Sequence, residues 1–258
     1  MVDTQPLNYP MINGNSESAI LRWTGVAPLN SAFSNFQNSD WRYAKACSFF
    51  VDKLDQSGDP CTSRWLTLYN GIYEGIPSGY EYGLTPEPKS YLQYSLMTDP
   101  LMGNILNYAE VQFALAEAAA KGWISTKTAK EYYEAGITAR VTLWGRTVPA
   151  TYLEGSLVKW DDPSDHPTPD KLFEAHMEKI HWQKYLSLFY TDMQPWIEYR
   201  RTGHPILPKG PGLENDGIMP TRLAYPTSVQ ATNLKNYNSA VAIQGADDLK
   251  TKVWWQKP

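Results

Sequence analysis

The clearest periodic signal lies between residues 102 and 145. From residue 104 to 121, Leu106, Ala109, Phe113, Ala116 and Ala120 fall on one helical stripe and Tyr108, Val111, Leu115 and Ala118 on a second, which leaves little of the circumference polar. A helix so patterned needs cover on two sides. Gly122 suits the position just past its end, and Ser125 suits the cap of a following helix. In that following helix Tyr133, Ile137, Val141 and Trp144 make one stripe, and Ala129, Tyr132, Gly136, Ala139 and Leu143 make another.

Small residues at the crossing of the two helices, Ala116 and Gly136 among them, make the pair read as one tetratricopeptide-type hairpin that stacks on neighbours. Upstream, Tyr43, Cys47, Phe50 and Leu54 share a helical face, after a capping Ser39 or Asp40 and before the stop at Ser57-Gly58-Asp59-Pro60. Downstream, Thr168 caps, Pro169 takes the first turn, and Trp182, Leu186, Phe189, Met193 and Trp196 continue a buried stripe that Pro195 must kink or restart. Arg200 and Arg201 fall in the last turn before Gly203 and Pro205. The segment 69–82 alternates turn formers with aromatics and reads as a looped surface. Residues 206–258 are punctuated by Pro and Gly, and predict a packed but irregular tail. The expected architecture is mainly α, one or more tetratricopeptide-like hairpins with extensive irregular loops. Residues 1–100 form a loop-rich aromatic region with one helix, and residues 101–258 a helical region with the irregular tail.

Composition narrows the function. With 258 residues, 42% of them hydrophobic, the chain is long enough to bury a substantial core. A net charge of −4 from 23 basic and 27 acidic residues is too balanced for a surface that tracks phosphates, so nucleic acid is not an expected partner. No stretch of about 18 consecutive apolar residues occurs, and the first six residues carry neither a basic nor an apolar targeting region. The 10 Trp, 17 Tyr and 7 Phe suit either a core or a surface that stacks on flat, weakly polar ligands.

Enzyme signatures are sparse. His176 and His181 share one helix, but a spacing of five separates their directions by about 140°, so they do not form a zinc pair. One buried, hydrogen-bonded histidine and one exposed one are expected, and neither a metal nor a cofactor. Counted from Asp161, a calcium hand would need Gly and an acid where His166 and Leu172 stand. The aspartates 161, 162 and 165 therefore read as a solvated turn, although a carboxylate pair for glycoside hydrolysis stays open. Nucleophile-elbow, phosphate-loop and dinucleotide motifs do not occur. Cys47 and Cys61 either pair, closing a loop near fifteen residues, or remain as buried thiols.

Several segments, in order, resemble the SusD-like (SusD/RagB) superfamily. The run 105–123 contains Asn107-Tyr108-Ala109-Glu110 and Ala116-Glu117-Ala118 before Gly122-Trp123, and Tyr132-Tyr133-Glu134-Ala135-Gly136-Ile137 follows. His181-Trp182-Gln183-Lys184-Tyr185-Leu186 and Trp196-Ile197-Glu198-Tyr199-Arg200-Arg201-Thr202-Gly203 are similar to a later family helix. Met219-Pro220, Arg222-Leu223, Tyr225-Pro226, Asn236-Tyr237 and Val253-Trp254-Trp255 are similar to the family's tail, and Phe50-Val51-Asp52-Lys53-Leu54 with Asp59-Pro60 fits the same order. The resemblance spans about residues 48–258 and looks like the C-terminal half of such a protein.

The resemblance implies a surface-exposed lipoprotein of the Bacteroidetes outer membrane. Such a protein binds oligosaccharide or another nutrient without cleaving it and delivers it to a SusC-like TonB-dependent transporter. The lipid anchor and earlier hairpins are expected upstream of this chain. A pyranose offers an apolar C–H face and a rim of hydroxyls, which an aromatic ring edged by polar groups would hold. Loop position selects Trp41, Tyr43, Trp65, Tyr69, Tyr80 and Tyr82 as the candidate ligand platform. Trp182, Trp196, Trp254 and Trp255 are assigned to packing. The rival readings are an interaction module that contacts the transporter without a sugar site, and a glycoside hydrolase.

Overall fold

The chain folds mostly into helices, as its periodicity requires. The computed structural model describes residues 48–75, 90–93, 95–96, 99–189, 191, 193–211, 213 and 216–256. Among these residues the helices, in chain order, are α1 (Ser48–Ser57), α2 (Thr62–Trp65), α3 (Tyr108–Ala120), α4 (Ala129–Leu143), α5 (Ala150–Leu153), α6 (Pro169–Ser187), α7 (Gln194–Thr202), α8 (Thr227–Thr232) and α9 (Leu234–Gln244). One-turn 3₁₀ segments occupy Pro100–Gly103, Pro163–Asp165 and Trp254–Gln256. Among the described residues extended pairing is limited to the bridges Leu66–Leu92 and Tyr69–Ile72. The start of the helix expected from Ser39, with Tyr43 and Cys47, lies outside the described residues.

Helices α3 and α4 form the expected hairpin, and α6 packs against both. Asn107 caps α3 by accepting the Glu110 amide at 2.7 Å, and its side-chain amide donates to the Ser187 carbonyl at 2.8 Å, so the start of α3 is tied to the end of α6. Gly122, at φ +71°, ends α3 with the paired bonds Gly122 N–H to Ala119 O and Trp123 N–H to Ala118 O, a Schellman closure. Thr128 caps α4, in place of the expected Ser125. Its hydroxyl accepts from the Glu131 amide while Glu131 accepts from the Thr128 amide, a reciprocal box that Ser125 has no acid three residues on to complete.

At the crossing, the ring of Phe113 sits where a Cβ on Gly136 would lie, 2.6 Å from Phe113 Cε1. The first stripe of α3 is buried at Ala109, Phe113 and Ala116, and that of α4 at Tyr133, Ile137, Val141 and Trp144. The second stripe of α3 is not covered as expected. Tyr108 and Val111 are exposed, while Gln112 and Glu117 are buried instead. The reason is electrostatic: α7 brings Arg201 onto Glu117, so the covered flank is polar.

Two interior arrangements join these helices. Phe50, Trp65 and Phe189 form a stack, with Trp65 and Phe189 centroids 4.5 Å apart and Trp144 edge-on to Trp65 at 5.4 Å. Beside it Arg140 and Asp59 make a fully buried ion pair at 2.5 Å. Tyr152 donates to Asp59 at 2.6 Å, Arg140 donates to Gln183 Oε1 at 3.2 Å, and the Cys61 amide donates to Asp59 at 2.8 Å. Cys61 is a free, buried thiol, which settles the open alternative for that residue.

The tail differs from expectation. Residues 227–244 contain neither Pro nor Gly, and there the chain forms α8 and α9 rather than irregular structure. Asp247 holds this region by accepting from Arg222, the Tyr225 amide, Gln230 and the Tyr237 hydroxyl.

Gly136→Ala should lower the unfolding free energy by about 1–3 kcal/mol despite alanine's better helix propensity, because the buried Phe113 ring must move. Urea denaturation reads this, and an unchanged or raised midpoint would contradict the close approach. Asp59→Ala or Arg140→Ala alone should cost about 3–5 kcal/mol, whereas Asp59→Leu combined with Arg140→Met should cost well under the sum. Additive losses in the same denaturation experiment would show that the pair is not coupled.

Candidate functional site

Of the six aromatics selected from loop position, Trp41, Tyr43, Tyr80 and Tyr82 lie outside the described residues. Trp65 is 0% exposed and is a core ring, which corrects its place in the platform. The cause is local: the helical turn α2 directs Trp65 inward, while Arg64 on the same turn reaches Asp99 and Ser95. Tyr69 is half-buried and opens a tight turn in which Asn70 (φ +50°) and Gly71 (φ +83°) occupy the two central positions. Asn-Gly suits such a turn because both residues tolerate positive φ. Tyr69 and Ile72 close it by exchanging backbone hydrogen bonds at 2.8 and 3.1 Å.

The exposed indoles are elsewhere, and they correct a second assignment. Trp254 is 82% and Trp255 40% exposed, although both were assigned to packing. Their turn is anchored to the end of α7. Gln256 Nε2 donates to the Arg200 carbonyl at 3.2 Å, Gln256 Oε1 accepts the Val253 amide at 3.2 Å, and the Gln256 amide closes on Val253 O at 2.9 Å. The Arg200 guanidinium lies against two rings, 4.4 Å from the Trp196 centroid and 4.9 Å from that of Trp255. Trp196 is held in turn, donating from Nε1 to the Pro220 carbonyl at 2.9 Å. Sequence spacing placed Trp196 correctly in the core. It could not separate Trp254 and Trp255 from it, because a three-residue turn has no periodicity to read.

A concavity of ≈ 800 Å³ lies between the turn Pro100–Gly103 and the α3–α4 hairpin. Leu101, Leu106, Tyr108 and Leu143 dominate its wall, with Asn104 and Thr138 contributing polar groups. Ile105, Leu106 and Tyr108 are exposed beside it.

Charge is concentrated where α3, α6 and α7 meet. Arg201 grips Glu117 with two hydrogen bonds of 2.7 and 2.6 Å and also reaches Glu198 at 2.8 Å. Lys121 adds a bond to Glu117 at 2.6 Å, and Lys184 lies 3.0 Å from Glu198. Burial opposes ionisation of Glu117, but the Arg201 and Lys121 hydrogen bonds win and hold its carboxyl down to about 2. His181 sits among these groups, 3.6 Å from Glu117 and 3.9 Å from Glu198, and neither ring nitrogen makes a hydrogen bond. Burial, opposed by the two carboxylates, pulls the imidazole down to about 4. Glu117, His181 and Glu198 converge closely enough to surround a cation. Their carboxylates are already neutralised by Arg201, Lys121 and Lys184, so a divalent ion would meet three positive charges.

The expected division of the histidines is therefore half right. His181 is buried without a hydrogen bond, and His176 is half-buried, stacked on Trp160 at 3.9 Å and bonded to the Asp161 carbonyl at 2.9 Å. The aspartate turn is partly solvated as expected, with Asp162 and Asp165 in a capping box, while Asp161 pairs with Lys179 at 2.7 Å.

A tetratricopeptide-type hairpin carrying irregular connections and displayed rings defines a helical scaffold. The chain belongs to the SusD-like family: residues 1–226 match the family model described as starch-binding associating with outer membrane. The match stops before α8, so the tail resemblance beyond residue 226 is not part of it. Among solved structures, the chain is similar to a chitin-binding SusD homolog from Flavobacterium johnsoniae, with TM-score 0.70 and 19% identity over 94% of this chain and 62% of that one. It is also similar to the Bacteroidetes SusD-like protein AC2a, with TM-score 0.69 and 20% identity over 91% of this chain and 57% of that one. For a SusD homolog from Bacteroides fragilis the TM-score is 0.62 and the identity 26%, over 86% of this chain and 54% of that one. The chain thus spans between half and two thirds of these relatives' lengths, and the likeness speaks to fold. No curated protein matches the sequence.

The depressed imidazole sets a pH dependence. From its ordinary 6.5 down to about 4, the unfolded chain binds a proton at His181 that the folded chain does not, so stability falls as pH drops through that window. Glu117 adds a further loss as pH falls from 4.5 towards 2. Thermal unfolding across pH should show the first loss, on the order of 3 kcal/mol, in the native protein and its absence in His181→Phe. Parallel curves would mean that His181 is not the group responsible.

Proposed function

We propose that this protein binds oligosaccharide at the outer-membrane surface without cleaving it, and passes it to a SusC-like TonB-dependent transporter. The observation that carries the reading is the match of residues 1–226 to a family described as starch-binding and associated with the outer membrane. The chitin-binding relative from Flavobacterium johnsoniae supports a saccharide as the ligand class. A noncatalytic role is supported by the state of the interior carboxylates. Asp59, Glu117 and Glu198 are each engaged by arginine or lysine, so none of the three offers a free carboxylate to a glycosidic bond. The proposed platform is Trp41, Tyr43, Tyr69, Tyr80 and Tyr82, without the enclosed Trp65.

A second reading, a polypeptide-binding module with no sugar site, draws on the apolar concavity and the exposed Ile105, Leu106 and Tyr108 beside it. Calorimetric titration with malto- and chito-oligosaccharides separates the two. Saturable binding that weakens about tenfold in Trp41→Ala or Tyr80→Ala is expected, in line with the loss of one stacked ring. No binding across the series would favour the interaction module, and release of reducing ends during the titration would overturn the noncatalytic claim.

A further inference from the structure

Arg200 departs from the other arginines of these helices and the tail. Arg140 faces Asp59, Arg201 faces Glu117 and Glu198, and Arg222 faces Asp247. Arg200 has no acceptor among the described residues, and its Nε is buried without a partner. Two rings hold it by contact, with its Cζ 4.4 Å from the Trp196 centroid and 4.9 Å from that of Trp255. Nε is enclosed and out of a ligand's reach, but the two terminal nitrogens, which no described residue engages, suit a planar two-oxygen acceptor. Next to it on the same turn, Trp254 presents an indole that is 82% exposed.

From this arrangement we infer that Arg200, Trp254 and Trp255 form a subsite for a carboxylated pyranose, a uronic acid unit of an acidic oligosaccharide. The C–H face of the sugar stacks on Trp254. Its carboxylate accepts two hydrogen bonds from the terminal nitrogens of Arg200, which Trp196 and Trp255 contact. Three features favour an acid over a neutral sugar. The Glu198 carboxylate on the same helix is already engaged by Lys184 and Arg201, so it does not compete for Arg200. Burial lowers the Arg200 pKa, so an approaching anion stabilises its charged form. Lys252, exposed at the start of the same segment, adds positive charge on the approach. The inference rests on the saccharide-binding reading and assigns it a location and a ligand charge.

The test uses the full chain with two probes of equal length, a trigalacturonate and a neutral trisaccharide, followed by calorimetry and tryptophan fluorescence. The uronate should bind at least about tenfold tighter than the neutral probe. That preference should fall about tenfold in Arg200→Gln, should not be restored by Arg200→Lys, and should shrink in high salt. Trp254→Ala, at a ring that packs little against the core, should weaken both probes while leaving thermal unfolding unchanged, which keeps the test valid if Arg200→Gln disturbs the fold. Equal affinity for the two probes, a uronate preference that survives Arg200→Gln, or undiminished binding of both probes by Trp254→Ala would overturn the subsite while leaving the saccharide reading intact. Failure of these probes and of the neutral malto- and chito-oligosaccharides to bind would overturn both.

Discussion

The contact between Arg140 and Asp59 constrains the rest of the molecule. Two opposite charges withdrawn from water are tolerable only when their remaining hydrogen-bonding capacity is met nearby, and here Tyr152, Gln183 and the Cys61 amide supply most of it. The partners come from the link after α1, from α4, from α5 and from α6, so four separate pieces of chain must arrive together before the pair is tolerable. The guanidinium also lies 5.7 Å from the Trp65 ring, which ties the charged knot to the stack of Phe50, Trp65 and Phe189. Polar and aromatic interiors are therefore one unit, and it holds the hairpin at a fixed angle to the helix that follows.

From that unit a series of specific contacts leads outward. Asn107 links the start of α3 to the end of α6, Glu117 receives Arg201 from α7, and Trp196 of α7 holds the Pro220 carbonyl of the tail. The last link is Gln256 on the Arg200 carbonyl. Each contact is made by a polar group reaching backbone or an opposite charge, so each fixes direction as well as distance. The indole of Trp254 is consequently displayed on a supported turn, far along the sequence from the core that orients it.

What could be read from the sequence was whatever repeats with the helical period or obeys a known end rule. The α3–α4 hairpin, the buried faces of Phe113, Ile137 and Val141, the cap at Thr168 and the restart at Pro195 all belong to that class. Errors arose where partners distant in sequence decide the outcome. The covered second flank of α3 is not the apolar stripe through Tyr108 and Val111 but one that carries Glu117, which Arg201, 84 positions later, engages. Trp65 and Trp254 exchanged roles for a related reason: a single turn of chain aims a side chain inward or outward, and four or five residues carry no period from which to tell. The helices α8 and α9 were hidden by the Pro- and Gly-rich stretch before them, although residues 227–244 contain neither residue. Aromatic richness itself was ambiguous, since the same rings build the stack around Trp65 and the display at Trp254.

Cys61 carries a consequence of its own. Its sulfur is enclosed at the foot of α2, and burial pushes the thiol up to about 12, so almost none is thiolate at neutral pH. Disulfide exchange and alkylation both require the anion and access to it. The residue therefore stays chemically silent for as long as the knot around Arg140 is intact and becomes reactive only when the interior comes apart. The protein carries its own label for that event: the rate at which Cys61 is trapped by a thiol reagent measures how often the scaffold opens.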